Sequence, residues 1–438
     1  MLTGFLRAFR TPDLRRKLLF TVFILAVFRL GCALPTPGIS EKAINACIGV
    51  ASKSGNSVYQ LVNLFSGGAL FRLSVFALGI MPYITASIIL QLLAVVIPRL
   101  ETLRQEGQSG QNKITQYTRY LTVGLAILQS TGIVALARSG KLFQSALQCN
   151  QTLIPNPSVF TVTTMVICMT AGTAVIMWLG ELITDRGVGN SMSLMIFTQI
   201  IAVIPGEMLN IRTSRGNFVF GVVLAVGVAI IAFVSFMEQA QRRIPVQYAK
   251  RMVGRRMYGG TSTYIPLKVN QAGVIPVIFA SSLLYIPQLA ASLFGSQTHP
   301  QPWFKWIETY MVRGDSPIYM LTFFVLIIFF TYFYVAITFN PTEVADNMKK
   351  YGGFIPGIRP GRPTAEYLNF VLTRLTAPGS VYLGVIALIP MIALALVGAT
   401  SNFPFGGTSI LIAVGVGLDT VKQIESQLQQ RNYEGFLR

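Results

Sequence analysis

The sequence predicts an all-α integral membrane protein with ten transmembrane helices in two inverted, pseudo-symmetric halves of five and one re-entrant half-helix. Three observations carry this. The 438-residue chain is 52% hydrophobic and 12% charged, with a mean hydropathy of +0.57, against about 25% charged residues in a typical soluble protein. Its charge-free runs reach the roughly 20 residues a helix needs to cross the hydrocarbon layer, the run at 120–137 only just. A Gly-x-x-Pro-x-Ile-x-Ala-Ser-x-x-Leu pattern also recurs 194 positions apart. Gly79, Pro82, Ile84, Ala86, Ser87 and Leu90 are matched by Gly273, Pro276, Ile278, Ala280, Ser281 and Leu284. Membrane helices use few residue types, but a proline and an Ala-Ser pair in register are harder to obtain by chance than repeated Leu or Ile.

The elements follow in order. Leu2, Phe5, Leu6 and Phe9 fall on one helical face with Arg7 and Arg10 flanking, so residues 1–17 suit an interfacial helix. They lack the small-residue site of a cleaved signal. The first span, 18–36, tolerates Arg29 because it lies near one end and reaches the headgroups. Spans at 74–97, 117–136, 158–182 and 187–206 complete a first half over 18–212. Between spans 1 and 2, Ser57 to Arg72 is too polar and short to cross; with Gly67-Gly68 inside, it suits a re-entrant half-helix at about 57–73 or an amphipathic surface helix. The second half, 213–421, holds spans at 217–237, 272–294, 317–338, 381–400 and 405–421. The last two are separated by the turn cluster Ser401-Asn402-Phe403-Pro404-Phe405-Gly406-Gly407. The repeat joins span 2 to span 7, five crossings apart, so the two helices run in opposite senses around a central pathway.

Basic residues are retained on the cytosolic side. With the N-terminus inside, 25 Lys and Arg fall on the cytosolic side and 8 on the other, which puts both termini, including the tail 422–438, in the cytosol. The net charge of +19 is therefore mostly a topology signal, though the loops 238–270 and 339–378 are basic enough to dock an acidic partner. Cys32 and Cys168 lie within spans and suit packing; Cys47 and Cys149 fall on the outer face, as free thiols or as a pair.

The chain offers little chemistry. Its only histidine is His299, it lacks nucleophile and phosphate-loop motifs, and an enzyme is not expected. No cofactor or metal is expected either. Asp419 has no second aspartate within a span, so it suits a capping or interfacial role. Glu181, Asp185, Arg186 and Asp419 sit at span ends, leaving no polar midplane site for ion-coupled transport. At the midplane of spans 2 and 7 the repeat puts Ile84 and Ile278, with Ile80 one turn from Ile84. Such branched aliphatics seal a narrowing by dewetting and can part around a polypeptide, or simply face lipid and neighbouring helices. Pro82 and Pro276 are expected to perturb their helices.

Several motifs, together with the repeat, resemble the SecY family, the channel subunit of the bacterial Sec protein translocase. They are Gly254-Arg255-Arg256, Ser262-Thr263-Tyr264-Ile265-Pro266-Leu267-Lys268-Val269-Asn270, Gly353-Phe354-Ile355-Pro356-Gly357-Ile358-Arg359-Pro360-Gly361, Leu34-Pro35-Thr36-Pro37-Gly38, Phe65-Ser66-Gly67-Gly68-Ala69 and Trp178-Leu179-Gly180-Glu181. The resemblance runs over nearly the whole chain. It implies a ten-helix clamshell that passes unfolded, signal-bearing preproteins and releases hydrophobic segments sideways into membrane lipids. The pore ring it implies is Ile80, Ile84, Val188, Met192, Ile278 and Ile412. Val188 and Met192 stand one helical turn apart, and Met192 departs from the usual isoleucine. The implied plug is Asn63, Leu64, Phe65, Ser66, Gly67, Gly68, Ala69, Leu70, Phe71 and Arg72. A lateral gate between spans 2 and 7 or 8 falls at Thr85, Ala86, Ser87, Ala280 and Ser281, whose small residues let helices approach closely.

Implied partners are SecE-like and SecG-like small membrane subunits, the SecA motor ATPase or the ribosome, and signal peptides. Cytosolic docking would use Lys250, Arg251, Arg255, Arg256, Arg359 and Arg362, beside Arg242 and Arg243, unless those charges only fix topology. The tail Arg431-Asn432-Tyr433-Glu434-Gly435 resembles the photosynthetic bacterial and plastid branch. The expected location is the bacterial inner (plasma) membrane, with the thylakoid as alternative. Rival readings are a secondary transporter for a small solute and an insertase without a true pore.

Overall fold

The computed structural model describes residues 11–40, 42–44, 67–70, 72–138, 154–155, 157–248, 251–253, 256–258, 262–294, 310, 316–397 and 407–434. In order these hold α1 (Pro12–Ala33), α2 (Met81–Val96), α3 (Pro98–Gln105), α4 (Gln108–Arg138), α5 (Val159–Arg186) and α6 (Ser191–Gln239). Then come β1 (Gln241–Tyr248), β2 (Arg251–Val253), β3 (Arg256–Tyr258), β4 (Ser262–Lys268), α7 (Ile275–Phe294), α8 (Pro317–Thr338), α9 (Pro341–Lys350), β5 (Gly353–Phe354), α10 (Arg362–Val397) and α11 (Gly407–Glu434). Among the described residues, five helices are long and apolar enough to cross a membrane. A sixth is added if α2 and the residues from Pro98 to Arg104, bent by 105°, count as one span.

Local chemistry sets the helix ends. Ser158 Oγ accepts from Thr161 N, and Asn190 Oδ1 accepts from Met192 N and Ser193 N, each satisfying donors that a first helical turn leaves free. Ile97 is extended at φ −98°, ψ 109°, as the residue before a proline must be, and this turns α3 away from α2. Gly216, at φ 84° and ψ 171°, breaks α6 into two limbs, where spans 5 and 6 were expected to be joined. Four buried threonine hydroxyls are satisfied inside their own helices, Thr85 Oγ1 donating to the Met81 carbonyl, Thr122 to Thr118, Thr173 to Met169 and Thr331 to Ile327. The termini 1–10 and 435–438 lie outside the described residues, as do Cys47, Cys149 and His299. Cys32 and Cys168 are free.

The interior is one large apolar cluster shared by α1, α2, α5, α6, α7, α8, α10 and α11, and a second built on α4, α5 and the residues from Leu70 to Leu78. Arg119 of α4 and Glu181 of α5 pair in a two-pronged contact, Nε to Oε1 and Nη2 to Oε2, both 2.7 Å. Close helix contact also uses glycine. A Cβ on Gly172 of α5 would come 2.1 Å from the Val75 carbonyl oxygen, so any side chain there forces the two backbones apart.

The basic segments differ from the expected loops. β1 pairs antiparallel with β4 from Gln241↔Lys268 to Gln247↔Ser262, and with β5 at Gln247↔Phe354 and Tyr248↔Gly353, so one three-stranded sheet spans both segments. Ile244, Val246 and Leu267 pack beneath it against Met348, Ile355 and Leu368. Residues 339–378 are thus no single loop, since α9 and the start of α10 fold within them.

Candidate pore and gate

Both repeat copies fold alike. Gly79 has φ 57° and Gly273 φ 62°, and two residues later a helix begins. Left-handed backbone is open to glycine without steric cost. Pro82 and Pro276 consequently sit at the second position of α2 and α7, where the missing N–H was unpaired in any case. They start these helices rather than perturbing them. The buried Ser74–Ile80 stretch precedes α2 as turns, so Ile84 and Ile278 lie in the first turn of α2 and α7. Ile84 N donates to the Ile80 carbonyl, and Ile278 N to the equivalent Val274 carbonyl.

Ile80, Ile84, Ile278 and Ile412 are each 5% exposed or less and belong to the large central cluster, against which Met192 packs. Val188 does not join them. It is buried with Leu14 and Ile424, and its N–H donates to Thr21 Oγ1 at 3.2 Å. Helix α6 starts only at Ser191, so Val188 and Met192 are not one helical turn apart on a shared face.

Along the neighbouring helices, α7 packs against α2 and α4. Ala86 and Ala280 are wholly buried and Thr85 nearly so, while Ser87 and Ser281 are half-buried. Ser87 Oγ accepts from Gln91 Nε2 at 3.2 Å, and Ser281 Oγ donates to the Ile278 carbonyl at 2.9 Å.

Asn63, Leu64, Phe65, Ser66 and Phe71 lie outside the described residues. Gly67 to Leu70 form turns, with φ 65° at Gly67 and 85° at Gly68. Arg29, expected to reach the headgroups, is engaged within the protein: its Nη1 donates to the Gly67 carbonyl at 2.7 Å. A Cβ on Gly67 would lie 2.8 Å from that nitrogen and 3.2 Å from Gln199 Cγ. Ala69 enters the central cluster, and Leu70 and Leu73 enter the second. Leu73, at φ 45°, is held in a left-handed conformation unusual for its type. Its carbonyl accepts from both Thr36 N and Thr36 Oγ1, at 3.1 and 2.8 Å. Arg72 is exposed.

Among the basic residues, Lys250 and Arg255 lie outside the described residues; Arg251 stands opposite Tyr258, and Arg256 opposite Val253, in the β2–β3 pair. Arg243 lies over the Tyr264 ring at 4.9 Å. Pro356-Gly357 makes a turn closed by Ile358 N to the Ile355 carbonyl, with Gly357 at φ 84°. This turn leads to exposed Arg359, whose backbone carbonyl accepts from Thr364 Oγ1 at 2.8 Å. Arg362 opens α10 and pairs with Glu366 at 3.1 Å, both largely exposed. Asp419 lies inside α11, paired to Lys268 at 3.1 Å, so it does not cap the helix. Sequence reasoning missed the sheet, although Ile244, Val246 and Tyr248 alternate, as do Ile265 and Leu267.

A multi-pass helical membrane protein whose repeat-related helices α2 and α7 meet at an apolar centre is the class defined by this arrangement. Solved structures share the fold. "The structure of a protein conducting channel" superposes with a TM-score of 0.62 at 17% identity, over 93% of this chain and 91% of that one. "Sec61 in the Canine ribosome-channel complex from the endoplasmic reticulum" gives 0.59 at 16%, with the same coverage. The chain matches the SecY family over residues 74–421 and belongs to it. A protein translocase subunit SecY of Streptomyces galbus is 66% identical, and one of Mycobacterium bovis 61%, each over the full length of both chains. These relatives are not from the photosynthetic branch that the tail resembles.

Proposed function

We propose that the chain is the protein-conducting channel of a Sec-type translocase: it passes unfolded, signal-bearing polypeptides across the membrane and releases hydrophobic segments sideways into lipid. The repeated left-handed glycine and helix start, which bring Ile84 and Ile278 into one apolar cluster, carry the reading. They supply a seal contributed equally by two halves, with Ile80, Ile412 and Met192 around it. Val188, buried elsewhere, is left out of the ring. A small-solute transporter would need polar ligands at that centre and is not favoured.

On this reading ten segments cross the plasma membrane with both termini cytosolic. The residues around Gly67 to Arg72 are the end of a plug on the outer side. The sheet β4-β1-β5 faces the cytosol, where the motor ATPase or the ribosome docks, and SecE-like and SecG-like subunits flank the channel. Reconstitution with a motor ATPase and a signal-bearing precursor tests the function directly: protease-protected precursor is expected, and none would refute it. Membrane-impermeant labels should reach cysteines in 238–270 and 339–378 from the cytosol and those in 295–316 from outside only. Labelling of 250–256 from outside would end the ten-span arrangement.

Arg359 projects from a shaped turn with no ion pair among the described residues, an arrangement that retention of charge on the cytosolic side does not require. Arg359→Glu is expected to abolish motor- or ribosome-dependent translocation while leaving membrane insertion and folding of the channel intact. Normal translocation by this variant and by Arg255→Glu with Arg256→Glu would reduce these charges to topology signals.

A further inference from the structure

Glu238 lies in the last turn of α6, and Asn270 in the link between β4 and α7. Both side chains are buried, at 7% and 2% exposure. Asn270 Nδ2 donates to Glu238 Oε1 at 2.5 Å and to the Gly273 carbonyl at 3.1 Å. One amide group therefore ties the end of α6 to the left-handed glycine from which α7 starts. Other contacts converge on the same link. Val269 N donates to the Ala240 carbonyl at 3.0 Å, and Lys268 Nζ reaches Asp419 of α11 at 3.1 Å. Gly379 of α10 lies so close that a Cβ on it would stand 2.4 Å from the Val269 carbonyl oxygen.

The β1–β4 hairpin leaves α6 at Ala240 and returns into α7 through residues 269–274, so both of its roots meet at this clamp. α7 carries Ile278, Ala280 and Ser281. Asn270 Oδ1 is buried with no hydrogen-bond partner among the described residues, a cost that an apolar side chain filling the same space would avoid. A group kept for packing alone has no need of the amide, whereas one kept to join Glu238 to Gly273 does.

We propose that Glu238, Asn270 and the Gly273 carbonyl form a coupling clamp that passes the movement of a partner docked on the hairpin to the gate helix α7. Glu238 and Asn270 act as positioning residues, touching neither precursor nor partner. This rests on the reading of the hairpin as the docking surface and of α7 as a gate helix.

The test is translocation of a signal-bearing precursor into proteoliposomes holding the full chain with its small membrane subunits, as a function of motor ATPase concentration. Asn270→Ala should lower the maximal rate by about tenfold, the weight of one buried hydrogen bond. The half-saturating motor concentration should stay put, because the docking surface is untouched. Glu238→Gln, which keeps an acceptor oxygen for Asn270, should restore most of the rate that Glu238→Ala loses. If Asn270→Ala is degraded, Asn270→Asp, of equal size but opposing one carboxylate with another, is read in the same way. A half-saturating concentration that rises in step with the fall in rate would mean that the pair only shapes the docking surface, and an unaltered rate that it couples nothing; either overturns the clamp. Failure of the unsubstituted chain to translocate would instead refute the channel reading.

Discussion

Ile278→Asn, and separately Ile84→Asn, is expected to turn a sealed resting channel into a leaky one. Both side chains are buried in the central cluster, at 5% and 4% exposure, so an amide placed there has no water in the closed state. Burying such a group without a partner costs about 1–3 kcal/mol. An open, hydrated pore escapes that cost, so the closed state alone is destabilised, and the same range shifts a two-state equilibrium by roughly 5–150-fold. Ion conductance across a planar bilayer should rise by a factor in that range, and precursors with poor signals should begin to cross. Ile→Val at the same positions shortens the side chain but adds nothing polar, and should leave conductance near its resting level. Unchanged conductance and unchanged signal stringency in both Asn variants would mean that these isoleucines are ordinary core.

A disulfide across the α2–α7 seam is expected to stop translocation altogether. The two helices pack together, and Ala86 and Ala280 are fully buried; small side chains let backbones approach closely and separate with little lost packing. Bridging needs Cβ atoms about 3.5–4.5 Å apart. Some cysteine pair, one from 83–91 and one from 278–286, should therefore crosslink in the resting channel, abolish translocation, and recover fully on reduction. Replacing Cys32, Cys47, Cys149 and Cys168 by Ala removes the background thiols. No crosslink in a full scan of both windows, or crosslinked protein that still translocates, would move the sideways exit elsewhere.

What the sequence revealed and what it hid have separate physical causes. Hydropathy located apolar stretches because burial in lipid acts on composition over about 20 residues, and each expected span overlaps a described helix. Hydropathy could not tell helix from apolar turn, so span 2 was expected at residue 74 although α2 begins at Met81. The repeat made Gly79 and Gly273 conspicuous, but their left-handed backbone, which starts each helix and makes the prolines harmless, is a dihedral fact beyond composition. Arg29 looked like a headgroup anchor because its partner is a backbone carbonyl 38 positions away, and backbone groups leave no residue-specific trace in a sequence. Val188 was grouped with Met192 on the assumption of one continuous helix, which the cap at Asn190 breaks. The sheet was overlooked because the arginines in 241–268 drew attention to charge, while the alternation of Ile244, Val246 and Tyr248 was there to be read.

The pairing of β5 with β1 has a thermodynamic consequence for anything that grips both basic segments. Two sites on separate flexible loops act as tethered modules, and the second attachment is limited by the effective concentration that the intervening chain allows. Here β1, which carries Arg242 and Arg243, is joined to β5 through main-chain hydrogen bonds and a shared apolar underside, so the spacing of these two strands is set before a partner arrives. Such a partner meets a single two-pronged plug-and-socket, with little rotational freedom left to lose on the second contact. Its selectivity then lies in the distance between its own two contact points as much as in their charge.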